Sequence, residues 1–129
     1  MTSVDIIFYK EGEEIPGMEF IDSLTKKPLA KGLKQLEKLS TLGHGLRRPH
    51  ADILRDGIYE LRWRDVKVQY RLLYFFHGQG IVVVSHGIQK KGDAVPGIEI
   101  DRALKRREIF EKDPEAHSWK FEIEARYEN

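Results

Sequence analysis

The chain has 129 residues, no cysteine, and 22 Lys+Arg against 21 Asp+Glu. That length suits a single domain, residues 1–129, with a real core. Without cysteine there is no disulfide framework, thiolate metal site or cysteine nucleophile. No apolar run approaches a membrane span, and MTSVDIIFYK lacks a cationic stretch leading into a long apolar one. A cytoplasmic protein that does not enter membranes is therefore expected. The charge is uneven. Residues 1–43 carry 6 basic and 7 acidic side chains, residues 44–91 carry 9 and 4, and residues 92–129 carry 7 and 10. The excess of +5 in the middle segment favours an anionic partner there, nucleic acid first.

In chain order, Val4 to Tyr9 is a short apolar run that predicts a first strand. Pro16 suits a first helical turn, and Met18, Phe20, Ile21 and Leu24 recur at helical spacing. Pro28 restarts the pattern. Leu29, Leu33, Leu36, Leu39 and Leu42 form a stripe with Lys31, Lys34, Gln35 and Lys38 outside it, so a helical hairpin ending at Gly43 is expected. His44 to His50, with Arg47 and Arg48, reads as a basic loop able to approach phosphates. No acidic or further histidine partner stands at a metal-site spacing, and no metal or other cofactor is expected.

The stretch from Leu54 to Lys91 reads as three consecutive strands. Tyr59, Leu61 and Trp63 alternate with Glu60, Arg62 and Arg64. Gln69 to Phe76 is apolar at nearly every position, and Ile81 to His86 follows across His77-Gly78-Gln79-Gly80, a hairpin signal. Ile100, Ala103, Leu104 and Phe110 give a last helix stopped by Asp113-Pro114. In the tail after Pro114, alternation of Trp119, Phe121, Ile123, Ala125 and Tyr127 with charged residues suits a late strand, with a frayed helix as the alternative. The order β-α-α-β-β-β-α plus tail predicts an α+β fold: an antiparallel sheet with the helices packed on one face. The cations would gather on the other face.

The runs LRDGIYELRWRDVKVQYRLLYFF, VVVSHGIQKK and PGIEIDRALKRREIF carry a family resemblance. Gly57, Glu60, Leu61, Arg62, Tyr70, Arg71, His86, Gly87, Lys90, Lys91, Pro96, Glu99, Ile100, Ala103 and Arg106 match, in order and spacing, a motif set that resembles the phage-derived HigB-like branch of the RelE/ParE toxin superfamily. Ile88 stands where that branch usually has an aromatic residue. The resemblance implies a RelE-like fold and the toxin of a type II toxin–antitoxin system. Its partner would be a helix-turn-helix, HigA-like antitoxin, and its target mRNA on the ribosome. Cleavage in that group is metal-independent: the 2′-OH attacks the adjacent phosphorus and the 5′-oxygen leaves. The superfamily also holds ParE-like gyrase-directed toxins and inactive antitoxin-binding members.

Such a reaction needs proton transfer at two oxygens and stabilisation of charge on phosphorus, which bidentate guanidinium supplies well. The resemblance places Arg71 at the scissile phosphate, with Arg62 on the neighbouring strand and Lys90 or Lys91 at a basic catalytic position. The residues leave Arg71 an alternative as partner of Glu60 or Asp65. His86 is the acid/base candidate, or else a core histidine sharing strand parity with Val82, Val84 and Ile88. Arg47, Arg48, Arg64, Lys67 and Tyr70 are the candidate RNA contacts. Known RelE nucleases carry a tyrosine after the basic pair. This chain has Asp93-Ala94-Val95-Pro96-Gly97-Ile98 there, which leaves His86 or Tyr70 to substitute.

Overall fold

The computed structural model describes residues 3–90 and 94–123. It contains β1 (Asp5–Tyr9), α1 (Pro16–Asp22), α2 (Lys26–Leu42), β2 (Ala51–Arg55), β3 (Ile58–Asp65), β4 (Val68–His77), β5 (Ile81–Lys90), α3 (Gly97–Lys112) and β6 (Ser118–Lys120). The hairpin helices form where the sequence places them. Pro16 opens α1, and α2 ends at Gly43, whose φ of 53° is costly for a residue with a Cβ. Leu33, Leu36 and Leu39 are buried along α2, whereas Leu42 is exposed.

The six strands lie in the order β2-β3-β4-β5-β1-β6. Pairing is antiparallel except between β1 and β5, which run parallel. The expected meander is thus β3-β4-β5, extended at both edges. On one side β2 pairs with β3 through an Asp56-Gly57 turn with φ values of 52° and 82°. On the other, the tail strand β6 pairs with β1, as the alternation at Trp119 suggested. Residues 124–129 of that alternation lie outside the described residues. The short β2 escaped the sequence reading because Asp52-Ile53-Leu54-Arg55 shows no clear period.

The expectation that all helices share one face is corrected. Leu61, Trp63, Tyr70, Leu72, Tyr74, Val82 and Val84 pack with the α1–α2 hairpin on one face. Ile58, Leu73, Phe75 and Val83 pack on the other with Ile100, Ala103 and Phe110 of α3. Strands apolar on both faces require cover on both, and α3 supplies the second.

The parity assigned to His86 is corrected as well. The β4–β5 register slips between Leu73 and Tyr74, where Leu73 pairs with His86 and Tyr74 with Val84. Ser85 is the extra residue of a bulge, which reverses the faces beyond it. His86 and Ile88 therefore share the α3 face with Val83, opposite to Val82 and Val84. Gly87 falls on the hairpin face, where a Cβ would collide with the Phe20 ring of α1.

Candidate functional site

The outer edge of β3 is paired with β2 only as far as Leu61 opposite Ala51. Beyond that point the Arg62 amide donates to the His50 carbonyl at 2.8 Å. The outward carbonyls are then taken by side chains of α2. Gln35 Nε2 donates to Arg62 O at 2.6 Å, and Lys31 Nζ to Arg64 O at 3.1 Å. A buried strand edge must have its polar groups met, so α2 does here what a strand does elsewhere. Gly32 makes this approach possible, since a Cβ there would lie 2.7 Å from the Trp63 ring.

At this corner lies a groove of about 700 Å³. Arg62, Arg64 and Arg71 line it from the sheet, and Lys31, Lys34 and Lys38 from α2. Gln35, Pro49, His50, Trp63 and Gln69 complete the wall, so six cations and no acid face the cavity. Such a wall recruits anions. Arg62 and Arg71 are cross-strand partners, and Arg64 pairs with Gln69, so alternation puts the three guanidinium groups on one face.

The arginines are not equivalent. Arg71 is 1% exposed. Its Nε lies 3.1 Å from Glu60 Oε1, and its Nη2 donates to Gln69 Oε1 at 2.8 Å. Glu60 is itself buried, and Arg62 Nη1 stands 3.7 Å from its other oxygen. Burial pushes the Glu60 carboxyl above its ordinary value, and Arg71 and Arg62 pull it back only in part. Arg62 is about one-third exposed, with Nε donating to Pro49 O at 3.4 Å. Arg62 and the exposed Arg64 are the arginines whose forks can still reach a ligand, while Arg71 holds charge beneath them.

His50 also faces the groove. Gln35 Nε2 stands 3.3 Å from His50 Nδ1. An amide nitrogen only donates, so Nδ1 accepts and the ring proton sits on Nε2. A positioned neutral imidazole carrying Nε2–H can donate a hydrogen bond to a phosphate oxygen or a departing oxygen.

Residues 19–108 match the family model described as Phage derived protein Gp49-like (DUF891). The chain belongs to the Gp49-like family. That family is placed among the RelE/HigB-type toxins. No curated protein matches the chain.

Several residues that carry the resemblance in this Gp49-like chain prove to join α3 to the sheet. Ser85 Oγ lies 2.7 Å from His86 Nδ1, and His86 Nε2 lies 3.0 Å from Glu99 Oε1. Arg102 Nη1 donates to the same Glu99 oxygen at 2.5 Å. Arg106 Nη1 reaches Ser85 Oγ at 3.5 Å, with its guanidinium 5.6 Å from the centre of the Tyr9 ring. The network is satisfied if the hydroxyl donates to Nδ1 and Nε2–H to the carboxylate. Burial, then the nearby Arg106 and Arg102, lowers the imidazole pKa against the pull of Glu99. The Ser-His-Glu chain has the look of a hydrolytic triad. Ser85 is fully buried, however, and no substrate can reach it.

Of the sequence-predicted site residues, the structure brings Arg62, Arg64 and Arg71 together in the groove. His86 does not line it. The Lys90 backbone ends β5 opposite Gln69, and Lys91 lies outside the described residues. Tyr70 is buried on the hairpin face beside Trp63, their rings 5.8 Å apart. Lys67 is exposed at the β3–β4 turn. Arg47 and Arg48 line a second pocket of about 450 Å³, with Arg48 held by Asp52 at 2.7 Å. Among the described residues no three His, Asp or Glu side chains assemble as a metal set. The α2 lysines, Gln35 and His50 escaped the sequence reading as site residues. The lysine spacing was visible, but the strand edge facing it was not.

Proposed function

We propose that this Gp49-like chain is the toxin of a type II toxin–antitoxin pair, an endoribonuclease acting on ribosome-bound mRNA. A helix-turn-helix antitoxin of the HigA type is its proposed partner. The observation that carries the reading is the groove at the β3 edge: six cations, no acid and one oriented imidazole. An anionic polymer is the ligand such a wall selects. The motif resemblance supplies the target class.

In this reading the RNA 2′-OH loses its proton to water, its oxygen attacks the neighbouring phosphorus, and the bond to the 5′-oxygen breaks. A 2′,3′-cyclic phosphate remains on one fragment. Arg62 donates to the phosphate oxygens as charge builds on them. Arg71, fixed by Glu60 and Gln69, adds positive potential from below. His50 donates a hydrogen bond from Nε2–H to the departing 5′-oxygen, which takes its proton from water, and Gln35 keeps the ring turned that way. Lys90 and Lys91 are the remaining proposed contributors.

The test is induction of the protein with mapping of transcript 5′ ends, for wild type, Arg62→Ala and His50→Gln. New ends in the wild type, reduced about 10²-fold or more in either variant, are expected. Growth arrest with intact transcripts would sink the nuclease reading. DNA breaks in the same cells would move the chain to the gyrase-directed branch.

A further inference from the structure

We infer that Lys34 and Lys38 of α2 hold the phosphates flanking the one that is cut, so that the groove takes a run of single-stranded RNA and not an isolated nucleotide. This rests on the nuclease reading and extends it to the length of the substrate.

Six cations are more than one phosphate can engage, and they fall into two groups. Arg62, Arg64 and Arg71 share one face of β3 and β4. Lys31, Lys34 and Lys38 sit on α2 at intervals of three and four residues, within one narrow stripe. At 1.5 Å per residue that stripe extends about 10 Å along the axis, beyond the reach of a single phosphate. Lys31 is already engaged, with its ammonium on Asp65 at 3.0 Å and on the Arg64 carbonyl. Lys34 and Lys38 are exposed and make no ion pair among the described residues. Their ammonium groups face a cavity without a carboxylate, so both remain available to an anion.

The groove also turns a corner. Because β2 stops at Ala51, it passes from the arginine face of the sheet around the β3 edge to the helix. A flexible single strand can follow that bend, with its scissile phosphate at Arg62 and the next phosphates on the lysines. A stiff duplex cannot make so tight a turn. The fixed distance between the two cation groups is set by Gln35, bonded to the Arg62 carbonyl.

The experiment is fluorescence anisotropy at several salt concentrations, using oligonucleotides of increasing length with 2′-O-methyl groups throughout. Blocking the 2′-oxygen prevents cleavage, so binding is read alone. Wild-type affinity is expected to rise with length beyond a dinucleotide. For Lys34→Ala/Lys38→Ala the slope of log affinity against log salt should fall by about 1.4, or about 0.7 for each phosphate no longer neutralised. The gain with length should vanish too, while Lys105→Ala on exposed α3 leaves both unchanged. A double variant with the wild-type slope and length dependence overturns the lysine assignment and leaves the nuclease reading standing. A wild type that binds no oligonucleotide at any salt also overturns the lysine assignment, while the nuclease reading on the ribosome is decided separately by the transcript ends.

Discussion

Arg71→Ala is the substitution whose consequences the structure specifies most fully. It removes the nearest cation to a buried carboxylate: Arg71 Nε lies 3.1 Å from Glu60 Oε1, and Arg62 at 3.7 Å, partly in solvent, is a weak replacement. Leaving a buried charge without its partner costs about 3–5 kcal/mol. The cost should depend on pH. Glu60 already titrates above its ordinary 4.5 in the folded chain, and losing Arg71 raises it further. The folded state then binds the proton more tightly than the unfolded one. Stability is full below about 4.5 and is lost as pH rises through the folded value. Urea denaturation at pH 7 should show the full loss, and at pH 5 a clearly smaller one. Glu60→Gln in the same background should recover most of it at pH 7. A loss under about 1 kcal/mol, or one unchanged from pH 5 to pH 8, would refute the reasoning that the pair is a buried, mutually dependent unit. Loss of toxicity in Arg71→Ala alone accordingly says little about catalysis, and Arg62→Ala is the cleaner functional variant.

The His86 network gives the opposite pH sign. Its imidazole titrates below 6.5 when folded, so the unfolded chain takes up the proton first and stability falls as pH drops below 6.5. Thermal melts should decline more steeply between pH 6.5 and pH 5 for the wild type than for His86→Gln, and parallel curves would count against a buried neutral ring. Gly87→Ala should cost about 1–3 kcal/mol, because the new methyl group must displace Phe20 from the sheet face. An unchanged melting temperature would mean that α1 yields freely there.

The resemblance itself divides along structural lines. Ala103 is fully buried where α3 meets the sheet, Glu99 and Arg106 tie that helix to Ser85 and His86, and Gly87 makes room for Phe20. These residues hold the fold together. Among the matching residues that are described, only Arg62 and Arg71 line the groove, and one of the two is half structural. The motif is therefore better evidence for the family than for the chemistry.

Local patterns in the sequence determined the elements: the leucine stripe and Gly43 bound α2, Pro16 starts α1, Asp113-Pro114 stops α3, and alternation marks β3 and the tail strand. These signals survive because helix period, strand period and turn chemistry act over a few residues. Partnership between distant segments was decided only by tertiary structure. The Ser85 bulge turns His86 away from the face its parity predicted, α3 closes the second face, and β2 ends early enough for α2 to finish the β3 edge. Each depends on which backbone groups remain unpaired once the sheet is assembled. That is why His50 and the α2 lysines read as loop and helix exterior in the sequence, yet face Arg62 across one groove in the fold.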